Sequence, residues 1–249
     1  MLQQTQARRV VGPFERWVAA FPDPPSCARA GPAAALRAWE GLGYNRRALN
    51  LHRAAVIITD SHDGRVPSEL VDLEALPGVG SYTARAVLAF AFDAPVGAVD
   101  TNVARVLSRA VAGRRLVPKE AQVLADRLVP SGRSWAYNQT LFDIGALHCR
   151  SSNPDCPGCP LLAVCAWAGD GWPPPDPAAR GQRQSRFVGS DRQGRGRLVD
   201  TLRRGPLGAS ELAVASGWVD DPDRARSVAN GLVRDGLAVW VSDDQLGLP

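Results

Sequence analysis

The stretch "LPGVGSYTARAV" runs from Leu76 to Val87 and decides how the chain around it folds. Two glycines, Gly78 and Gly80, bracket Val79 just ahead of an apolar helical pattern. Glycine reaches positive φ without strain and lets another molecule approach the main chain closely. The amides of such a turn, followed by a helix N-terminus, form a seat for phosphate. Two helices joined in this way make a helix–hairpin–helix element. The same string also reads as a tight interhelical turn with no ligand. The short Leu-Pro-Gly-Val-Gly run favours a contact to the DNA backbone, which positions a duplex without reading its sequence.

Outward from this hairpin, apolar residues recur at helical spacing through most of the first 165 positions. Val10, Val11, Phe14, Trp17, Val18 and Phe21 form one stripe, and Leu36, Trp39 and Leu42 another that ends at Gly43. Val103, Val106, Leu107, Ala110 and Val111 give the clearest helix, and Trp135, Phe142, Ile144 and Leu147 lead into Cys149. Few segments alternate with period two, so the body over residues 1–170 is expected to be all-α. Residues 171–196 carry four prolines and several arginines and read as a linker. Residues 197–249 read as a small α+β module. "ASELAVASGW" and "PDRARSVANGLVRDGL" are expected helices, and "AVWVSDDQLGL" a hairpin turning at Asp243-Asp244. Helices plus a hairpin predict a winged-helix-like unit, of a kind that binds DNA or protein. The mixed charges of its last helix, Arg224, Arg226 and Arg234 beside Asp221, Asp223 and Asp235, do not point to a strong DNA contact.

The net charge is +4, compatible with a polyanionic partner but not diagnostic of one. Of the 29 basic residues only Lys119 is a lysine, a bias that a GC-rich coding sequence also produces. No run of eighteen apolar residues occurs and the first ten residues hold no signal-peptide core, so a cytoplasmic monomer with no membrane segment is expected. Disulfides are unexpected there. The segment "CRSSNPDCPGCPLLAVC", Cys149 to Cys165, holds four of the five cysteines. Clustered thiols read first as metal ligands. Structural zinc sites usually pair two short knuckles, and only Cys156–Cys159 is short here. Four thiolates on one loop also suit an iron–sulfur cubane, one cysteine per iron. Spacing leaves both open. Cys27 stands apart as a thiol with no ligand role.

Asp100, in "VGAVDTNVARVL", precedes the clearest helix and is a natural N-cap. A carboxylate there faces the positive end of the helix dipole. Such a group beside an extruded nucleotide stabilises a sugar cation. Capping and catalysis are compatible, and the segment alone does not choose between them.

Together "MLQQTQ", "GLGYNRRALNLH", "LPGVGSYTARAVLAFAF", "VDTNVARVL", "FDIGALHC" and the cysteine spacing resemble the adenine DNA glycosylases of the MutY type, within the endonuclease III or helix–hairpin–helix superfamily. The resemblance implies a helix–hairpin–helix glycosylase fold with an iron–sulfur loop at 149–165. It implies a [4Fe–4S] cluster on Cys149, Cys156, Cys159 and Cys165. It implies base-excision removal of adenine mispaired with 8-oxoguanine or guanine in double-stranded DNA. By the same resemblance Gln3 and Gln4 wedge into the duplex and Tyr44 intercalates beside the oxidised guanine. Gly78, Val79 and Gly80 hold a phosphate, Asp100 stabilises the oxocarbenium-like state, and Asn102 supports it. Gln3 and Gln4 also read as a solvated helix start, and Tyr44 as a packed aromatic after a helix C-cap.

Tyr82 stands where the strand-cutting endonuclease III branch places a Schiff-base lysine. With Lys119 the only lysine, and in another segment, a monofunctional glycosylase is expected. Two departures stand out. The family's general-acid glutamate lies just before the segment matching "MLQQTQ", and here Met1 opens the chain, as if a start had been assigned at an internal methionine. The 249 residues alone are therefore expected to excise poorly. Residues 197–249 are also too few for the Nudix-like domain of many relatives, so a weaker preference for 8-oxoguanine over guanine is expected. The competing readings are an endonuclease III-like glycosylase-lyase on damaged pyrimidines and a non-enzymatic DNA-binding iron–sulfur protein.

Overall fold

The computed structural model describes residues 1–3, 5–178 and 186–249. Gln4 and residues 179–185 of the expected linker lie outside the described residues. In chain order the helices are α1 (Ala7–Ala20), α2 (Pro24–Ala38), α3 (Arg46–Ser61), α4 (Leu70–Ala75), α5 (Ser81–Ala91) and α6 (Thr101–Val106). They continue as α7 (Pro118–Leu128), α8 (Ser134–Leu147), α9 (Ala166–Gly169), α10 (Asp191–Leu202), α11 (Leu212–Ser216) and α12 (Pro222–Arg234). Three short strands follow the same numbering: β1 (Leu207–Gly208), β2 (Val239–Ser242) and β3 (Gln245–Gly247).

Two compact units result. The first holds residues 1–67 and 76–78 together with the C-terminal segment. Asp23 caps α2 by accepting from the Ser26 amide at 2.7 Å, and α2 breaks at Gly31, where φ is +80°, ahead of Pro32. Leu36, Trp39, Leu42 and Leu49 share one core with Leu198, Leu202, Leu212, Leu232 and Leu246. Of the first apolar stripe, Val10, Trp17 and Phe21 are buried, whereas Val11, Phe14 and Val18 face solvent. The helical period is right, but the stripe is wider than the face that finds a neighbour.

The C-terminal part runs α10, β1, α11, α12, β2, β3, and its sheet has the order β1-β3-β2, antiparallel throughout. The two strands of the expected hairpin are present, with Asp243-Asp244 between them. β1 went unread because two residues carry no alternation; Leu207 pairs opposite Leu246. Residues 191–196, expected in the linker, form the start of α10. Ser190 caps that helix through the Gln193 amide, a signal masked in sequence by surrounding glycine and arginine.

The second unit holds α4 to α9. α6 runs on into a π-turn over Leu107–Val111, so the clearest helical pattern of the sequence is a helix with one wide turn. Val103, Val106, Leu107, Ala125, Leu141 and Ile144 form its core, and Cys149, Cys159 and Cys165 pack against it. Gly145 lets α8 close on α6: a Cβ there would lie 2.8 Å from the Asn102 Cβ.

Candidate functional site

In the first unit, Gly78 has φ +77°, and a Cβ would meet the Asn50 side chain at 2.7 Å. Both angle and space demand glycine. The Gln3 amide nitrogen reaches the Gly78 carbonyl at 3.5 Å, at the limit of a hydrogen bond. Tyr44 follows two positive-φ glycines, Gly41 and Gly43, and itself sits at φ +47° and is 45% exposed. A non-glycine residue in this region is uncommon and is held there by its surroundings.

Arg47, three residues on, supplies part of that hold. Its guanidinium donates to the carbonyls of Met1 at 2.9 Å and Gln3 at 2.5 Å, and to the Thr5 hydroxyl at 2.9 Å. It also donates to Leu42 and Gly43 and lies over the rings of Trp39 and Tyr44. Burial pulls its pKa below the ordinary arginine value. One cation thus organises both the Gln3 segment and the Tyr44 loop. Sequence reasoning passed over it, although an arginine three positions after a loop aromatic falls on the same helix face.

In the second unit, Gly80 precedes α5 with φ −95°, and a Cβ there would meet nothing within 4 Å. Neither backbone angle nor packing requires glycine at this position. Asp100 caps α6 as expected: its Oδ1 accepts from the amides of Asn102 at 2.8 Å and Val103 at 2.7 Å. Its Oδ2 accepts from the Asn102 side-chain amide at 3.1 Å. The Asn102 side-chain Oδ1 accepts in turn from Arg105 at 2.8 Å. Arg105 is buried and also donates to the carbonyls of Gly145 at 2.8 Å and Cys149 at 2.6 Å. Tyr82 rests against Phe142, with ring centroids 6.3 Å apart. Burial first, then the nearby Asp100 charge, raises its phenol above the ordinary value.

Cys149, Cys156, Cys159 and Cys165 line one cavity, closed by Val106, Ile144, Leu161 and Trp167 among others. Arg109, buried in its wall, donates to Cys149 Sγ at 3.5 Å and to the Arg150 carbonyl at 2.7 Å. It forks onto both carboxylate oxygens of Asp176 and lies 5.0 Å from the centre of the Trp167 ring. Burial opposes its charge, but Asp176 and Cys149 outweigh this and hold its pKa above the ordinary value. Among the described residues, no three Cys, His, Asp or Glu side chains converge on a point that would seat a single ion. Cys27 is buried away from this cavity's lining, and burial pushes its thiol up to about 11. Arg105 and Arg109 are the other residues that sequence reasoning missed; both lie inside the "VDTNVARVLSRAV" run and read there as helix surface.

Residues 1–130 match the HhH-GPD superfamily of base excision DNA repair proteins. The chain belongs to this family. It is 43% identical over 259 residues to the adenine DNA glycosylase of Mycobacterium tuberculosis, covering all of this chain and 83% of that one. The corresponding enzyme of Mycolicibacterium smegmatis is 39% identical over 251 residues, covering 84% of its length. The fold resembles a thermostable thymine-DNA glycosylase, with TM-score 0.64 and 28% identity over 68% of this chain and 80% of that one. It also resembles a trapped endonuclease III–DNA covalent intermediate, with TM-score 0.59 and 27% identity over the same shares. The chain is therefore a DNA N-glycosylase of base excision repair with the helix–hairpin–helix fold, and its substrate is DNA. Among the described residues, no helix is long and apolar enough to cross a membrane.

Proposed function

We propose that the protein hydrolyses the N-glycosidic bond of adenine mispaired with 8-oxoguanine or guanine, and leaves the strand uncut. The observation that carries this reading is the Asp100 carboxylate: one oxygen saturated by two amides, the other steadied by Asn102, with Tyr82 rather than a lysine nearby. The adenine leaves the stack to be reached. As the bond between C1′ and the base nitrogen breaks, the electron pair departs with adenine. Asp100 stabilises the cation left on the sugar, a fixed charge placed where charge develops. Water adds to C1′ and gives up a proton, and a proton is delivered to the base. Tyr82 offers no amine for an imine, so no covalent lyase step follows.

Gly80 supports the phosphate seat, because the space where a side chain would stand is open to an approaching backbone. Gln3, Gln4 and Tyr44 are proposed to face the lesion pair, and Val79 to complete the hairpin contact. The four cysteines are proposed to hold a [4Fe–4S] cluster. All four line one cavity, the placement that the ligands of a single group need. A cubane takes one cysteine per iron. Bound, it would brace the loop against DNA and take no part in bond cleavage.

A proton must reach the departing adenine as the bond breaks, the part of the reaction that a positioned acid supplies. Single-turnover excision on a duplex with adenine opposite 8-oxoguanine tests the reading. The protein should release adenine and give no borohydride-trapped adduct. Release of a damaged pyrimidine with trapping, or binding without release, would overturn it.

A further inference from the structure

Tyr44 is followed at once by two residues that the C-terminal part of the first unit grips. Asn45 accepts from Arg203 Nη2 at 2.7 Å, and Arg46 pairs with Asp235 at 2.7 Å. Arg203 also donates through Nε to the Leu36 carbonyl at 2.9 Å and is ion-paired with Asp200; its side chain is 5% exposed. Asp235 is held from its other side by Arg195. Beneath these polar ties lies the core shared by α2, α3 and residues 198–246. The strained, exposed aromatic therefore sits on a loop whose next two residues are fixed by α10 and the end of α12.

We propose that residues 191–249 act as a positioning module for the lesion-facing loop, with Arg203 and its acceptor Asn45 setting how sharply Tyr44 discriminates the base opposite adenine. This rests on the role proposed above for Tyr44. The module's own charges argue against a direct DNA contact in its place. Arg224 is tied to Asp191, Arg226 lies over Trp240, and the turn of the hairpin presents Asp243 and Asp244. An acidic tip against phosphate is unfavourable. A left-handed non-glycine residue persists only where its surroundings over-determine it, and here the module provides two of the constraints.

The test is the ratio of dissociation constants for duplexes with a non-cleavable adenine analogue opposite 8-oxoguanine or opposite guanine. It is measured for the intact protein and for Asn45→Ala, Asn45→Asp, Arg203→Gln and Tyr44→Ala. Asn45→Ala and Arg203→Gln should each reduce the ratio roughly tenfold, an ordinary coupling between sites. Asn45→Asp, which keeps an acceptor for Arg203, should restore most of it. Combined with Tyr44→Ala, neither should reduce the ratio further. Two results overturn the proposal: equal weakening on both duplexes with a lowered melting temperature, or an unchanged ratio in Asn45→Ala while Tyr44→Ala abolishes it. An unchanged ratio in Tyr44→Ala itself would instead remove the role given to Tyr44, and this inference with it.

Discussion

Replacing Gly145 with alanine puts the geometry around Asp100 under direct strain. The added Cβ would stand 2.8 Å from the Asn102 Cβ and 3.3 Å from the Asn102 carbonyl carbon and oxygen. Ordinary contact begins near 3.4 Å, so α8 and α6 must part by about 0.6 Å at this crossing. All three atoms belong to the Asn102 main chain or its Cβ, with no flexible side-chain end to swing aside. Overpacking of this kind costs about 1–3 kcal/mol of stability. The second consequence is local. Asn102 donates to Asp100 Oδ2, and Arg105 Nη2 donates both to the Asn102 side-chain Oδ1 and to the Gly145 carbonyl. A shift between the two helices therefore pulls on the group that orients the carboxylate.

A misplacement of about 1 Å at a reacting group costs on the order of 10²-fold in rate, and a shift of little over half that should cost roughly tenfold. The assay pairs chemical denaturation with single-turnover adenine release at saturating protein. The expected result is a stability loss within the stated range together with a slowed chemical step. A Gly145→Ala protein with unaltered stability and a rate within about twofold of wild type would refute the claim that this crossing sets the site.

Asp100→Asn keeps an acceptor for the Asn102 and Val103 amides but removes the charge, so excision should fall by about 10²–10³-fold with little change in folding; the same single-turnover assay checks this. Cys149→Ala or Cys165→Ala should abolish iron incorporation, read as iron per chain and visible absorbance, whereas Cys27→Ala should leave both unchanged. Cys27 also predicts a pH dependence. Its folded pKa is raised to about 11 from an unfolded value of 9.0, so the contribution is complete below pH 9 and is lost as pH rises through 11. Thermal melts should decline across that window, with Cys27→Ala removing part of the decline, on the order of 3 kcal/mol.

The legibility of this chain follows the range of each interaction. The hairpin, the Asp100 cap and the cysteine cluster are local, and each was visible as a string of residues. Gly78 needs glycine for a reason that sequence half supplies: the positive φ is expected of the turn, but the wall it meets is Asn50, 28 positions upstream. Arg105 and Arg109 were invisible because the partners that turn them inward lie about 40 or more positions away, at Gly145, Cys149, Arg150 and Asp176, and only Arg105 has near ones as well. Helical periodicity counts an arginine as polar surface, and nothing in that rule anticipates a guanidinium turned inward onto carbonyls and a thiol. The first stripe failed in the opposite sense, since Val11, Phe14 and Val18 fit the period but find no core. β1 failed because its two residues are meaningful only through their pairing with β3.

The two hairpin glycines separate folding from function. At Gly78 the fold itself forbids a side chain, so the residue carries no information about a ligand. At Gly80 the fold forbids nothing, since φ is negative and the space beyond is empty. A side chain at position 80 would cost little as folding goes, and would cover the amides at the start of α5. Gly80→Ala should therefore leave stability within about 0.5 kcal/mol of wild type, as for a surface change away from special features, while weakening duplex binding. Because the contact is to phosphate, the loss should be the same for mispaired and fully paired DNA. Binding isotherms on both duplexes check it. A loss confined to the mispaired duplex would assign Gly80 to lesion reading, and no loss at all would return the hairpin to a tight turn without a ligand.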